Sequence, residues 1–172
     1  MDKSPRAHVI WITGFPASGK TTLALALKAE YESRGLPVEH LDGDEIRKLF
    51  PSTGFDRESR DQHIRRVGHL ASRLQAHGVT VIVSLVSPFQ TSRDFARNLS
   101  QNFFEVHLTT PIGVCETRDP KGLYRKARTG EISNLTGIQS DFETPSAPEL
   151  KLDTSTLPLE ACVKQVLSHV LP

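Results

Sequence analysis

Apolar residues fall along this chain in two alternating rhythms. Short β-branched runs give way, five times, to stretches with an apolar residue every three or four positions. His8-Val9-Ile10-Trp11-Ile12 is the first short run and predicts a strand. Lys20 to Arg34, with Leu23, Ala24, Leu27 and Tyr31 at helical spacing, predicts an amphipathic helix that Gly35 and Pro37 end. Val38-Glu39-His40-Leu41 predicts a second strand, Glu45 to Phe50 a short helix, and Pro51-Ser52-Thr53-Gly54 a break. From about Arg57 to His77, Ile64, Val67, Gly68, Ala71 and Leu74 form one helical stripe. Val79 to Val86 is almost continuously apolar, as in a central parallel strand covered on both faces. Ser92 to Leu99 predicts a helix, Phe103 to Leu108 a strand, Pro111 to about Thr117 a helix, and Lys121 to Arg128 a basic helical segment. Glu149 to Asp153 is a last strand, and Pro158 opens a final amphipathic helix. Strands alternating with helices predict a parallel α/β sheet with right-handed crossovers and ligands at the carboxyl ends of its strands.

The 172 residues suit a single domain, 1–172. Residues 1–6 and the stretch Thr144 to Pro148 are expected to be irregular. A formal charge of +1 argues against binding a nucleic-acid polymer. No apolar run is long enough to span a membrane, and the N-terminus lacks the apolar core of a signal peptide. Cys115 and Cys162 form no metal motif, so two reduced, buried thiols in a cytoplasmic protein are expected.

Between the first strand and the first helix lies Gly14-Phe15-Pro16-Ala17-Ser18-Gly19-Lys20-Thr21-Thr22. It has the spacing of a phosphate-binding P-loop, whose glycines let backbone N–H groups curl around an anion. Lys20 is placed to reach the outer phosphates of ATP, and the Thr21 hydroxyl to ligate Mg²⁺. Strand, loop and helix together predict a three-layer P-loop NTPase fold with a mainly parallel central sheet. Many such proteins place a metal-supporting Asp after a second apolar strand, but strand 79–86 ends in Ser87. The nearest carboxylates are Asp42 and Asp44. Asp42 is the candidate metal ligand and the base for an acceptor hydroxyl. Asp44, on the opposite side if the segment stays extended, is the candidate substrate contact. Arg47, Arg57, Arg60, Arg65 and Arg66 offer forks for acidic groups, and Phe55 a face for a base. The cation-dense stretch from Arg118 to Arg128 suits a lid over polyphosphate, spanning about 118–148 with the loops that follow, with Arg118 on the ATP side.

These strings, in this order, resemble the adenylylsulfate kinase (APS kinase) family over nearly the whole chain. Its resemblance rests on the P-loop, Leu41-Asp42-Gly43-Asp44-Glu45-Ile46-Arg47, Ile64-Arg65-Arg66-Val67-Gly68, and Val86-Ser87-Pro88-Phe89 with Arg93-Asp94-Phe95-Ala96-Arg97. Phe104-Glu105-Val106 and Pro148-Glu149-Leu150 match as well. The most specific strings are Val114-Cys115-Glu116-Thr117-Arg118-Asp119-Pro120-Lys121-Gly122-Leu123-Tyr124 and Leu135-Thr136-Gly137-Ile138. The resemblance implies transfer of the γ-phosphoryl of ATP to the 3′-hydroxyl of adenosine 5′-phosphosulfate (APS), giving PAPS and ADP with Mg²⁺, and a homodimer with a mobile lid. It implies that Asp42 is the catalytic aspartate and that Arg47, Phe55 and Arg60 grip the acceptor. Lys121 matches a lysine at the lid. Ser87 matches the serine considered in the family as a phosphoryl carrier, although in-line transfer needs no covalent step. Val86, Ser87 and Pro88 would border the acceptor pocket.

Three departures stand out. The segment from Arg47 to Phe55 is one residue shorter than in the family. His63 stands where the family usually has Asn, and Leu135 where it has an aromatic. Both residues belong to the expected acceptor site. They leave open a kinase of the same fold acting on another nucleotide, such as a cytidine-linked intermediate. A non-catalytic nucleotide-binding module is the reading from another class.

Overall fold

The computed structural model describes residues 6–50 and 54–171. The expected irregularity of residues 1–5 and the break at Pro51 to Thr53 lie outside the described residues. Five strands form one sheet in the order β2-β3-β1-β4-β5, and every pairing is parallel. They are β1 (Val9–Thr13), β2 (Val38–Asp42), β3 (Thr80–Ser84), β4 (Phe103–Leu108) and β5 (Leu150–Leu152). The helices are α1 (Lys20–Ser33), α2 (Gly43–Lys48), α3 (Arg57–Ala76), α4 (Gln90–Leu99), α5 (Ile112–Arg118), α6 (Leu123–Arg128) and α7 (Leu159–Val170).

Successive strand residues point to opposite faces, so β1 builds two cores at once. Ile10 and Ile12 pack with Leu23, Leu27 and Tyr31 of α1 and Val166 of α7. Val9 and Trp11 pack with Ile64 and Val67 of α3 and Ala96 of α4. The sheet is thereby covered on both sides, which explains why β1 and β3 read as continuous apolar runs. From β1 the chain leaves through α1 on one face; from β3 it leaves through α4 on the other. The carboxyl ends of these neighbouring strands therefore diverge into a crevice, the topological switch point of an open parallel sheet.

Several boundaries differ from expectation by one or two residues, and two of them shape the site. β3 stops at Ser84 rather than Val86, and Ser87 turns the chain at φ 39°. Beyond the strand end, Leu85 packs into the core with Val9 and Trp11, and both Leu85 and Val86 line the cleft. α2 begins at Gly43, two residues before the expected Glu45, because the Asp42 carboxylate caps it.

Candidate active site

The cleft at the carboxyl ends of the strands holds about 630 Å³. Its floor is the loop after β1. Gly14 and Gly19 adopt φ of 151° and 100°, and a Cβ on Gly14 would stand 2.9 Å from the Leu108 carbonyl oxygen. No side chain caps the start of α1, so its first N–H groups are left for an anion. Lys20 Nζ donates to the Gly14 and Phe15 carbonyls at 3.0 and 2.6 Å. Burial, the largest influence, pulls this ammonium down to about 8 against the opposing charges of Asp44 and Asp42. Pro16, Ala17, Gly19, Lys20, Thr21 and Thr22 line the cleft. Gly14, Phe15 and Ser18 build the loop from behind. The Phe15 ring lies 5.1 Å from Phe142, and the Ser18 carbonyl accepts from Thr154 Oγ1 at 2.8 Å.

Asp42 closes the adjacent corner. Its Oδ2 accepts from Thr21 Oγ1 and from Ser84 Oγ, each at 3.0 Å. Its Oδ1 accepts the N–H groups of Asp44 and Glu45 at 3.0 and 3.4 Å. Burial pushes the carboxyl upward, but the bonds from Ser84, Thr21 and the α2 backbone outweigh it and hold Asp42 below the usual carboxylate range. An ionised carboxylate beside a hydroxyl is a hard-oxygen donor pair that suits Mg²⁺ shared with a polyphosphate. Among the described residues no group of three or more His, Cys, Asp and Glu forms a metal cage. The segment after Asp42 does not stay extended, so Asp44 is not turned to the far side. It lines the same cleft and pairs with Lys121 Nζ at 2.5 Å, a hydrogen bond that also raises the Lys121 ammonium. That ion pair links the Asp42 corner to the segment between α5 and α6.

The side of the cleft expected to take the acceptor gathers the other expected residues. The Arg47 guanidinium stacks 4.7 Å from the centre of the exposed Phe55 ring and donates to the Gly54 carbonyl at 2.9 Å. Arg60 donates to Thr136 Oγ1 at 3.1 Å and to the Asn134 carbonyl, tying α3 to the loop after α6. His63 is fully buried, with Nε2 3.0 Å from the Gly43 carbonyl oxygen. A carbonyl only accepts, so Nε2 carries the proton and donates. Burial first, then Arg47, presses His63 down to about 4, and its ring stays neutral at pH 7. Leu135 packs with Cys115, Tyr124 and Ala127 while still bordering the cleft, which Val86 and Pro88 line as well.

Ser87 is not placed as expected of a phosphoryl carrier. It is 2% exposed. Its Oγ accepts from Trp11 Nε1 and donates to Thr13 Oγ1, both at 3.0 Å. Proton and lone pair are spent on β1, so Ser87 shapes the cleft wall and offers no free hydroxyl. Arg93, fully buried, fixes that turn by donating to the Ser87 carbonyl at 2.6 Å and to the Glu143 carbonyl at 2.6 Å.

At the far end of the cleft sequence reasoning named Arg118 but missed Thr154, Leu157 and Cys162. Arg118 donates to the side chain and carbonyl of Thr154, each at 2.8 Å. Leu157 and Cys162 line the same end. The rule that ligands collect at strand ends applies to β5 as well, and Asp153-Thr154-Ser155 directly follows it. Arg57, Arg65 and Arg66 are not among the cleft residues. Arg57 pairs with Glu143 at 3.2 Å and Arg65 with Asp61 at 2.7 Å.

Comparison with known proteins gives concordant results. The family profile described as adenylylsulphate kinase matches residues 6–153. An adenylyl-sulfate kinase of Synechococcus sp. (strain JA-3-3Ab) is 43% identical over 166 residues, covering 96% of this chain and 94% of its own. The Mycobacterium tuberculosis APS kinase CysC, solved in complex with AMPPNP and APS, superposes with a TM-score of 0.91 at 36% identity, covering 96% of this chain and 98% of its own. A hexameric APS kinase from Thiobacillus denitrificans superposes with a TM-score of 0.72 at 28% identity, the match covering 96% of this chain and 29% of that one.

Proposed function

The chain belongs to the adenylylsulphate kinase family, and we propose from that premise how its own residues divide the work of moving the γ-phosphoryl of ATP to the 3′-hydroxyl of APS. The observation that carries the reading is the contact of Thr21 with Asp42 at 3.0 Å. It joins the phosphate-binding loop to the acceptor corner in one site. The first turn of α1 and Lys20 hold the polyphosphate. Thr21 and Asp42 are the residues that would hold Mg²⁺, which, bound with ATP, neutralises charge on the phosphates. Asp42 takes the proton of the attacking 3′-hydroxyl as that oxygen bonds to the γ-phosphorus and the bond from phosphorus to the bridging oxygen breaks, the oxygen leaving with ADP. Lys121, released from Asp44, turns to the charge that develops during transfer. Arg47, Arg60 and Phe55 hold the acidic and aromatic parts of the acceptor. Arg118 and Thr154 serve the ATP end, and the segment from about 118 to 148 closes over both nucleotides.

Two further assignments go with this reading. The two reduced cysteines agree with a cytoplasmic setting. Self-association into a homodimer is expected, and light scattering distinguishes a two-chain mass from a six-chain one. Acceptor choice is tested by competition binding in the presence of MgADP. APS is expected to displace a fluorescent adenosine nucleotide at concentrations at least about 100-fold below cytidine nucleotides. Equal displacement by a cytidine nucleotide would move the chain to another acceptor.

A further inference from the structure

Behind Asp42 lie two polar side chains, His40 and Ser84, to which the proposed division of work gives no part. Alternation along β2 sets His40 and Asp42 on one face. Ser84 is the partner of Asp42 across the β2–β3 pair and shares that face. His40 Nε2 lies 2.8 Å from Ser84 Oγ, and Ser84 Oγ lies 3.0 Å from Asp42 Oδ2. The direction of these bonds follows from proton counting. An ionised carboxylate only accepts, so the single Ser84 hydroxyl proton points at Asp42. The Ser84 oxygen then has only lone pairs to offer His40, and His40 must meet it with an Nε2–H. The opposite arrangement, Ser84 donating to His40, would set two lone-pair-bearing oxygens face to face at 3.0 Å.

We infer that His40 and Ser84 are positioning residues for Asp42, joined in a one-way chain from His40 Nε2–H through Ser84 Oγ–H to Asp42 Oδ2. The α2 N–H groups hold Oδ1, and this chain together with Thr21 holds Oδ2. The carboxylate is thereby fixed in rotation and held toward the acceptor corner. His40 acts only through Ser84 and touches no reactant. The inference rests on the reading of Asp42 as the base.

Nuclear magnetic resonance of the full chain labelled with ¹⁵N-histidine tests it without any turnover. The His40 ring, assigned by its absence in His40→Gln, is expected as the neutral Nε2–H tautomer; an Nδ1–H tautomer overturns the chain. Kinetics supply the second arm. Ser84→Ala and His40→Phe are expected to lower kcat about tenfold, with KM for ATP and for APS each within about twofold. His40→Gln, whose side-chain N–H still reaches Ser84, is expected to recover most of that loss. Unchanged kcat in Ser84→Ala and His40→Phe, or equal losses in His40→Gln and His40→Phe, overturns the inference. Asp42→Asn separates the two levels. If it keeps full kcat, the base reading itself falls; if it is inactive while Ser84→Ala is unaffected, only the positioning chain falls.

Discussion

Asp42 carries the most consequence of any residue, because it caps α2, accepts from Thr21, the proposed Mg²⁺ donor, and lines the cleft on the side proposed for the acceptor. Asn at this position still accepts the Asp44 N–H, so α2 is expected to persist in Asp42→Asn. The general-base function is lost, and kcat is expected to fall about 10²- to 10⁴-fold while AMPPNP affinity changes only a few-fold. Steady-state kinetics beside calorimetric binding separate those effects; an active variant would remove the proton-acceptor role. The buried histidines set a second behaviour. Burial presses both His63 and His107 down to about 4, well below the ordinary histidine value. Between about pH 4 and 6.5 the unfolded chain therefore binds more protons than the folded one, so stability is complete above that window and declines as pH falls through it. Each histidine contributes about 1.4 kcal/mol per pH unit there. Urea unfolding at pH 5 and 7 is expected to show this slope, and His107→Phe to make it shallower; an unchanged slope in that variant contradicts the assignment. Asp42, Lys20 and Thr21 were legible in the sequence because motif spacing dictates what they face. His40, Ser84 and Thr154 were not. They are isolated polar residues on strands or just past strand ends, and only the register of β2 against β3, or the end of β5, tells what they meet.

At the scale of elements, periodicity located every strand and helix of the described chain to within a few residues. Two of the misses lie where side chains override pattern. The Asp42 cap starts α2 at Gly43, and the cleft claims Leu85 and Val86 from the apparent length of β3. What periodicity cannot show is how distant elements are tied. Arg93 of α4 pairs with buried Glu105 of β4 at 3.1 Å and also holds the carbonyls of Ser87 and Glu143. One guanidinium thus joins a helix, a strand, the turn after β3 and the loop before β5. Arg93→Leu leaves the buried Glu105 with only Arg97 as ion-pair partner and frees two carbonyls. The expected cost is about 3–5 kcal/mol. In a chain of this size that lowers Tm by about 6–20 °C. Arg93→Lys is not expected to restore it, because one ammonium cannot reproduce a fork with several acceptors. A thermal melt within 2 °C or so of the parent would show that the pair is dispensable.

For the molecule as a whole, the fold explains why so few motifs suffice. An all-parallel sheet with helices on both faces brings the ends of β1, β2, β3 and β5 to one crevice. Motifs far apart in sequence meet there without further instruction; Lys121 and Asp44 are an example, 77 residues apart. The same geometry gives His63 and Leu135 structural duties, bracing Gly43 and joining the apolar cluster of Cys115, Tyr124 and Ala127, while both still line the cleft. Both residues thus share the cleft with the loop and the carboxylate proposed for phosphoryl transfer. The most direct measurement is to incubate the purified protein with ATP, Mg²⁺ and APS and resolve the nucleotides by anion-exchange chromatography. Equal amounts of PAPS and ADP, growing with time, are the expected result. ADP without PAPS, or phosphorylation of a cytidine nucleotide in preference to APS, would contradict it.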